Sequence, residues 1–88
     1  MLTPRQIIIL QRLLTSVSYV NSDALSEYAG VSGKTIQNDL GAVTDFLAAH
    51  AISLESKRGS GYRLHYNTTE ARDELSRVLT NLQFASND

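Results

Sequence analysis

In the stretch VSGKTIQNDL, residues 31–40, Lys34, Gln37 and Asn38 stand three and four positions apart. On a helix that spacing gathers them on one face. A Gln or Asn amide can pair bidentately with adenine, and a Lys ammonium can serve guanine or a phosphate. Ser32 and Thr35, hydroxyl residues at the start of the same stretch, suit phosphates at a groove edge, helped by the free amides of a helix start. A second set lies in KRGSGYR, residues 57–63, where Lys57, Arg58 and Arg63 flank Ser60 beside two glycines. A basic, flexible tip of this kind can follow a phosphate backbone or enter a minor groove, whose negative potential attracts Arg. The plainer alternative is a solvated polar surface with scattered cations. Which holds depends on what positions these side chains.

Other chemistry is poorly supplied. The chain has no cysteine, which excludes disulfides and thiolate metal sites. His50 and His65 lie far apart with no carboxylate cluster around them, so both read as surface or helix-end histidines and no metal is expected. The serines lack a His and acid arrangement that could activate a nucleophile, so no enzyme and no cofactor are expected. Gly59-Ser60-Gly61 lacks the strand-to-helix context and third glycine of a nucleotide-binding loop. Asp39, an acid within the polar stretch, would repel a polyanion, which points it inward toward a nearby Arg or Lys.

The chain has 88 residues and a formal net charge of −1, the size of one small domain. Up to Tyr66 basic residues slightly outnumber acidic ones; after it Glu70, Asp73, Glu74 and Asp88 outweigh Arg72 and Arg77. Local patches, not the total, set the field a partner meets. The opening MLTPRQIIILQRLL has no charged leader region and no small-residue cleavage site, and its apolar run is broken by Gln11 and Arg12, so it is not read as a signal peptide. No apolar run approaches the ~20 residues of a membrane span. A cytoplasmic setting with no membrane partner is the expectation.

The elements follow from caps and periodicity. Thr3, Pro4 and Gln6 make a capping box with proline at the first helical position, and Leu2 and Ile7 take the staple positions. Ile7, Leu10, Leu13, Leu14 and Val17 continue as a buried stripe, ended near Ser16 and Ser18. Asn21-Ser22 cap a short second helix with Leu25, Tyr28 and Ala29 inward, closed by Gly30. Ser32 caps a third, with Val31 and Ile36 as staple and Ile36, Leu40, Val43 and Leu47 inward, running to Ala49 or His50. That stripe leaves Gly33, Lys34, Gln37, Asn38 and Gly41 outward. Gly41, mid-helix, costs ~1 kcal/mol against Ala, tolerated or required by close approach of DNA or a packed helix. Residues 52–66 alternate as two strands around Arg58–Gly61, with Tyr19-Val20 a candidate third strand. Asn67 and Glu70 have capping-box spacing for a last helix with Leu75, Val78, Leu79 and Leu82 on its apolar face, followed by a frayed ASND tail.

Three helices, a hairpin and a final helix give a mainly α fold with a small β-hairpin. A short helix, a tight turn and a helix with a polar first half form a helix-turn-helix; the hairpin makes it winged. On that reading residues 1–66 are the winged helix-turn-helix and 67–88 a C-terminal helix.

The stretch from Tyr19 to Leu64 resembles the winged helix-turn-helix at the N-terminus of bacterial sugar-operon regulators that carry phosphotransferase-system regulation domains, including mannitol-activator and Mga-type proteins. The biotin repressor's DNA-binding domain is similar, notably in a GxGYxL hairpin, here Gly59 to Leu64. Val31, Ser32, Thr35, Ile36, Asp39 and Leu40 carry the VSxxTIxxDL core of the resemblance. The family often has Arg or Lys at the position of Asn38 and a polar residue at that of Gly41. The resemblance implies double-stranded DNA as partner, with Ser32, Lys34, Thr35, Gln37, Asn38, Lys57, Arg58, Ser60 and Arg63 as the contacting residues and no small-molecule ligand in this segment. It also implies sensory domains beyond the last helix and a homodimer in the intact regulator, with that helix as dimer seam or linker. A protein-binding winged helix is the competing class; RNA binding lacks the interleaved aromatics of a single-strand reader.

Overall fold

The computed structural model describes the backbone of residues 2–86 and side chains through Leu82. Four helices and a hairpin follow in order: α1 (Pro4–Thr15), α2 (Ser22–Ala29), α3 (Gly33–Ala48), β1 (Ile52–Lys57), β2 (Gly61–Tyr66) and α4 (Ala71–Ser86). This is the expected mainly α, winged helix-turn-helix architecture. Ala85 and Ser86, expected to fray, belong to α4, while Asn87 and Asp88 lie outside the described residues.

Each helix of the trihelical core starts where its cap chemistry says it should. Thr3 Oγ1 accepts from the Gln6 amide, and Gln6 Oε1 accepts from the Thr3 amide, so both arms of the box are closed. Asn21 Oδ1 accepts from the Ala24 amide at 2.8 Å, and Ser32 Oγ from the Thr35 amide at 3.3 Å. Gly30, at φ +72°, ends α2 in the left-handed conformation that costs a glycine nothing. Ser26 then seals the turn: its hydroxyl donates to the Val31 carbonyl and its own carbonyl accepts from the Gly30 and Val31 amides.

Ile7, Leu10 and Leu13 of α1, Leu25 of α2 and Ile36, Leu40, Val43 and Leu47 of α3 meet in one buried core. Ile52 and Leu64 of the hairpin and Ala71, Leu75 and Leu79 of α4 close it from the other side. Two expected core residues fall outside. Val17 is 95% exposed because α1 stops at Thr15, two residues before the stripe would next turn inward. Tyr28 is half exposed because the core side of the short α2 is filled by Leu25; its ring instead meets the Arg12 guanidinium 5.9 Å from the ring centre. Ile9, not on the expected stripe, is fully buried.

The hairpin pairs Ile52 with Tyr66, Leu54 with Leu64 and Lys57 with Gly61, so Ile52, Leu54, Tyr62, Leu64 and Tyr66 share the face toward the helices. The candidate third strand is a single bridge: Val20 and Tyr62 exchange both backbone hydrogen bonds at 2.8 Å. It brings the chain across Gly61, whose φ is +115°. A Cβ there would collide with the Val20 carbonyl and the Asn21 backbone, so only glycine lets the two segments cross. Ala51, at φ +60°, turns the chain from α3 into β1 in a conformation rare for a side-chain-bearing residue, held by the Asn67 amide donating to its carbonyl at 3.0 Å.

Candidate nucleic-acid interface

The α3 face left by the buried stripe carries Gly33, Lys34, Gln37, Asn38 and Gly41, all exposed. The N-terminal half of α3 is held by one buried acid. Asp39, 3% exposed, faces α1 and takes three donors. Arg5 Nε reaches Oδ2 at 2.5 Å and Arg5 Nη2 reaches Oδ1 at 3.0 Å, the two-pronged geometry of a guanidinium on a carboxylate. Gln6 Nε2 adds a third contact at 3.2 Å. Gln6 therefore ties the α1 capping box to α3 with its two amide atoms. The Arg5 hydrogen bonds hold the Asp39 carboxyl below the ordinary carboxylate range; burial opposes the shift and Gln6 assists it. The same contact raises Arg5. The acid inside the polar stretch is thus paired internally with an Arg, as expected of a charge that would repel a polyanion.

At the start of α3, Ser32 and Thr35 share a hydroxyl contact at 3.1 Å in addition to the cap. Ser32 is exposed and Thr35 half-buried, so Ser32 offers the more accessible hydroxyl. Gly41 lies four residues after Gln37 on the same face, and a Cβ added there meets nothing within 4 Å. Among the described residues no packed element requires the glycine. Gly41→Ala is expected to raise stability by about 1 kcal/mol, measured by the denaturant midpoint. An unchanged or lower midpoint would mean that the helix needs glycine for its own geometry.

The hairpin tip presents Lys57 and Arg58, both exposed, with Ser60 half-buried in the turn. Its side facing α2 forms an open cleft of about 350 Å³ lined by Asn21, Asp23, Lys57, Arg58 and Ser60. Arg63, expected at the same surface, is engaged within the wing. Its Nη2 donates to Glu55 Oε1 at 3.1 Å, and its guanidinium sits 4.6 Å from the centre of the Tyr19 ring. Lys57 approaches the same ring at 5.7 Å. Glu55 stands opposite Arg63 in the strand register, which makes this pair a direct product of the hairpin alignment. Lys34 and Arg58 have no partner among the described residues, so α3 and the wing tip each present an unpaired cation.

Two aromatic residues absent from the expected set shape this surface. Tyr19 is the platform for Lys57 and Arg63. Tyr62, on the core side of β2, extends its hydroxyl to Gln37, whose Nε2 donates to it at 3.0 Å. The alternation that assigned Tyr62 to the buried face was sound, but it gave no sign that the hydroxyl reaches past the core to α3.

On the far side, α4 lays Ala71, Leu75 and Leu79 into the core against α1, while Val78 stays half-buried. Burial pushes the Tyr66 phenol up, against a smaller opposing effect of Arg72. No described helix is long and apolar enough to cross a membrane. Among the described residues, no group of three or more His, Cys, Asp or Glu side chains could hold a metal.

A family model described as an HTH domain matches residues 5–63, from the Arg5 that grips Asp39 to the Arg63 of the wing. No curated protein matches the chain. The matched span covers α1 through most of the hairpin, including the α2–turn–α3 unit with its left-handed Gly30. The chain belongs to the HTH, or helix-turn-helix, domain family.

Proposed function

We propose that the chain binds double-stranded DNA, with α3 in the major groove and the wing tip on the neighbouring backbone. The single observation that carries this reading is the exposed row Lys34, Gln37, Asn38 on an α3 anchored from behind by the Arg5–Asp39 pair. Such a helix offers donors and acceptors near its N-terminal end, where recognition helices meet base edges. Gln37 and Asn38 have the chemistry for adenine, and Lys34 for guanine or phosphate. Ser32, Thr35, Lys57, Arg58 and Ser60 would position the domain through phosphates, which supply affinity without sequence information. Arg63 supports the wing from within and would contribute through its exposed edge.

The resemblance of the VSxxTIxxDL and GxGYxL segments to sugar-operon regulators supports a finer reading. The domain would be the N-terminal module of a cytoplasmic bacterial transcription regulator of carbohydrate uptake or metabolism. In the intact regulator it would act as a homodimer, with residues 67–88 leading into regulatory domains.

Duplex binding should weaken steeply with salt, because each phosphate contact releases a counterion. Arg58→Ala should lower affinity for every sequence and reduce the salt slope by about 1. Gln37→Ala and Asn38→Ala should instead alter sequence preference. The test is fluorescence anisotropy of a labelled duplex across a salt series. If neither class of change affects binding at low salt, the assignment of α3 and the wing is wrong.

A further inference from the structure

We infer that Tyr62 is a positioning residue for base recognition: from the wing strand, its hydroxyl fixes the Gln37 amide of α3 in the orientation that reads adenine. The inference rests on the duplex-binding reading and adds to it a specificity-determining residue outside the recognition helix.

Gln37 is an exposed, long side chain on the outer face of α3, where three rotatable bonds would ordinarily leave its amide mobile. Here Nε2 donates to the Tyr62 hydroxyl at 3.0 Å, a contact spanning 25 residues of sequence. Tyr62 is itself a rigid anchor. Its backbone exchanges two hydrogen bonds with Val20 at 2.8 Å, and its ring packs on the hydrophobic core. The hydroxyl is thus fixed in space by the wing, and it holds the Gln37 amide to that frame.

The hydrogen-bond inventory shows what this leaves for a ligand. A Gln amide has two N–H donors and one carbonyl acceptor. With Tyr62 taking the N–H trans to Oε1, as the inference requires, the N–H cis to Oε1 stays free beside the acceptor. That is the pair a bidentate contact to adenine N7 and N6 requires. Having accepted from Gln37, the Tyr62 hydroxyl keeps its own proton to donate to water. Holding the amide before contact lowers the ordering cost paid on binding, which is how preorganisation sharpens recognition. The arrangement also makes base preference depend on where the wing sits.

Tyr62→Phe removes the hydroxyl and keeps the ring that packs on the core, so the fold should persist. In the free protein, the side-chain amide of Gln37 should show restricted motion by heteronuclear NMR relaxation, and Tyr62→Phe should release it. Equal mobility in both proteins overturns the inference without any DNA. With DNA, Gln37→Ala first identifies the base pair at which preference depends on Gln37. Tyr62→Phe should then cut discrimination at that base pair by roughly 3- to 10-fold, the size of one hydrogen bond, while changing affinity for unrelated duplexes by less than about 2-fold. In a Gln37→Ala background Tyr62→Phe should have no further effect on discrimination. A uniform loss across all duplexes, or unchanged discrimination where Gln37→Ala alters it, overturns the positioning role. If the wild-type chain binds no duplex at low salt, the duplex-binding reading fails, and the role in recognition fails with it.

Discussion

Gly61→Ala should destabilise the domain by about 3–5 kcal/mol, combining a sparsely allowed backbone angle with loss of the Val20–Tyr62 bridge. A domain of this kind has only about 5–15 kcal/mol in total, so the change removes a large share of it. The cause is local and physical. At φ +115° an L side chain is strained, and its Cβ would overlap the Val20 carbonyl and stand 2.5 Å from Asn21 Cα. Relief requires the segment before α2 to move away from the wing, and the two 2.8 Å hydrogen bonds break with it. Gly59→Ala is the control, since Gly59 also has positive φ (+82°) but an added Cβ there meets nothing within 4 Å. It should cost about 1–2 kcal/mol, the backbone strain alone. Denaturant titration of the two variants separates collision from strain. Equal losses would mean that crossing by the Val20 segment does not constrain Gly61.

Asp39→Asn should cost about 1–2 kcal/mol at neutral pH and remove an acid-dependent part of the stability. The carboxylate is buried, but the Arg5 side chain is 42% exposed, and solvent screening keeps the loss at or below the low end of the range for charged hydrogen bonds. In the folded state the Asp39 pKa lies below its unfolded value of about 3.9. The pair's contribution is therefore complete above that value and disappears as pH falls through the lower, folded-state value. Wild-type stability should drop below about pH 4 more steeply than that of Asp39→Asn, and the two curves should converge in acid. Arg5→Ala should destabilise further than Asp39→Asn, because it strands a buried carboxylate with only Gln6 as donor. Parallel pH profiles for wild type and Asp39→Asn would contradict an ionised, paired Asp39.

Most of the fold was legible in the sequence because its signals are local. Thr3, Asn21 and Ser32 cap their helices, Gly30 closes α2, and strict alternation marks the strands. Each of these acts within a few residues of its own position. The errors have two causes, a helix end and a limit of packing space. Val17 matched the helical stripe, but α1 had already ended at Thr15. Tyr28 had helical spacing and an apolar body, yet Leu25 left it no core to enter. The inward role of Asp39 was readable from charge alone, since an acid on a face meant for phosphates would oppose binding. That its partner would be Arg5, 34 residues away, was not.

The candidate interface was legible in part for the same reason. Outward residues of α3 follow by subtraction from the buried stripe, so Lys34, Gln37 and Asn38 needed no long-range information. The wing differs because its chemistry depends on cross-strand register. The Glu55–Arg63 pair and the Tyr19 platform draw Arg63 into the hairpin, whereas Lys57 and Arg58 stay exposed. The Tyr62–Gln37 contact joins elements 25 residues apart and has no periodic signature. On the proposed reading a basic tip and a sparsely charged helix would divide the work: phosphate attraction at the wing, base contact on α3.

The most direct test is an amide NMR titration of the isotopically labelled chain with a short duplex at low salt. Shifts should concentrate at Ser32, Lys34, Gln37, Asn38 and Gly41 of α3 and at Lys57 to Ser60 of the wing, and fade as salt is raised. Residues 71–82 of α4 should remain unchanged. Shifts confined to α4, or a spectrum unaltered by excess duplex, would contradict a DNA-binding face built from α3 and the wing.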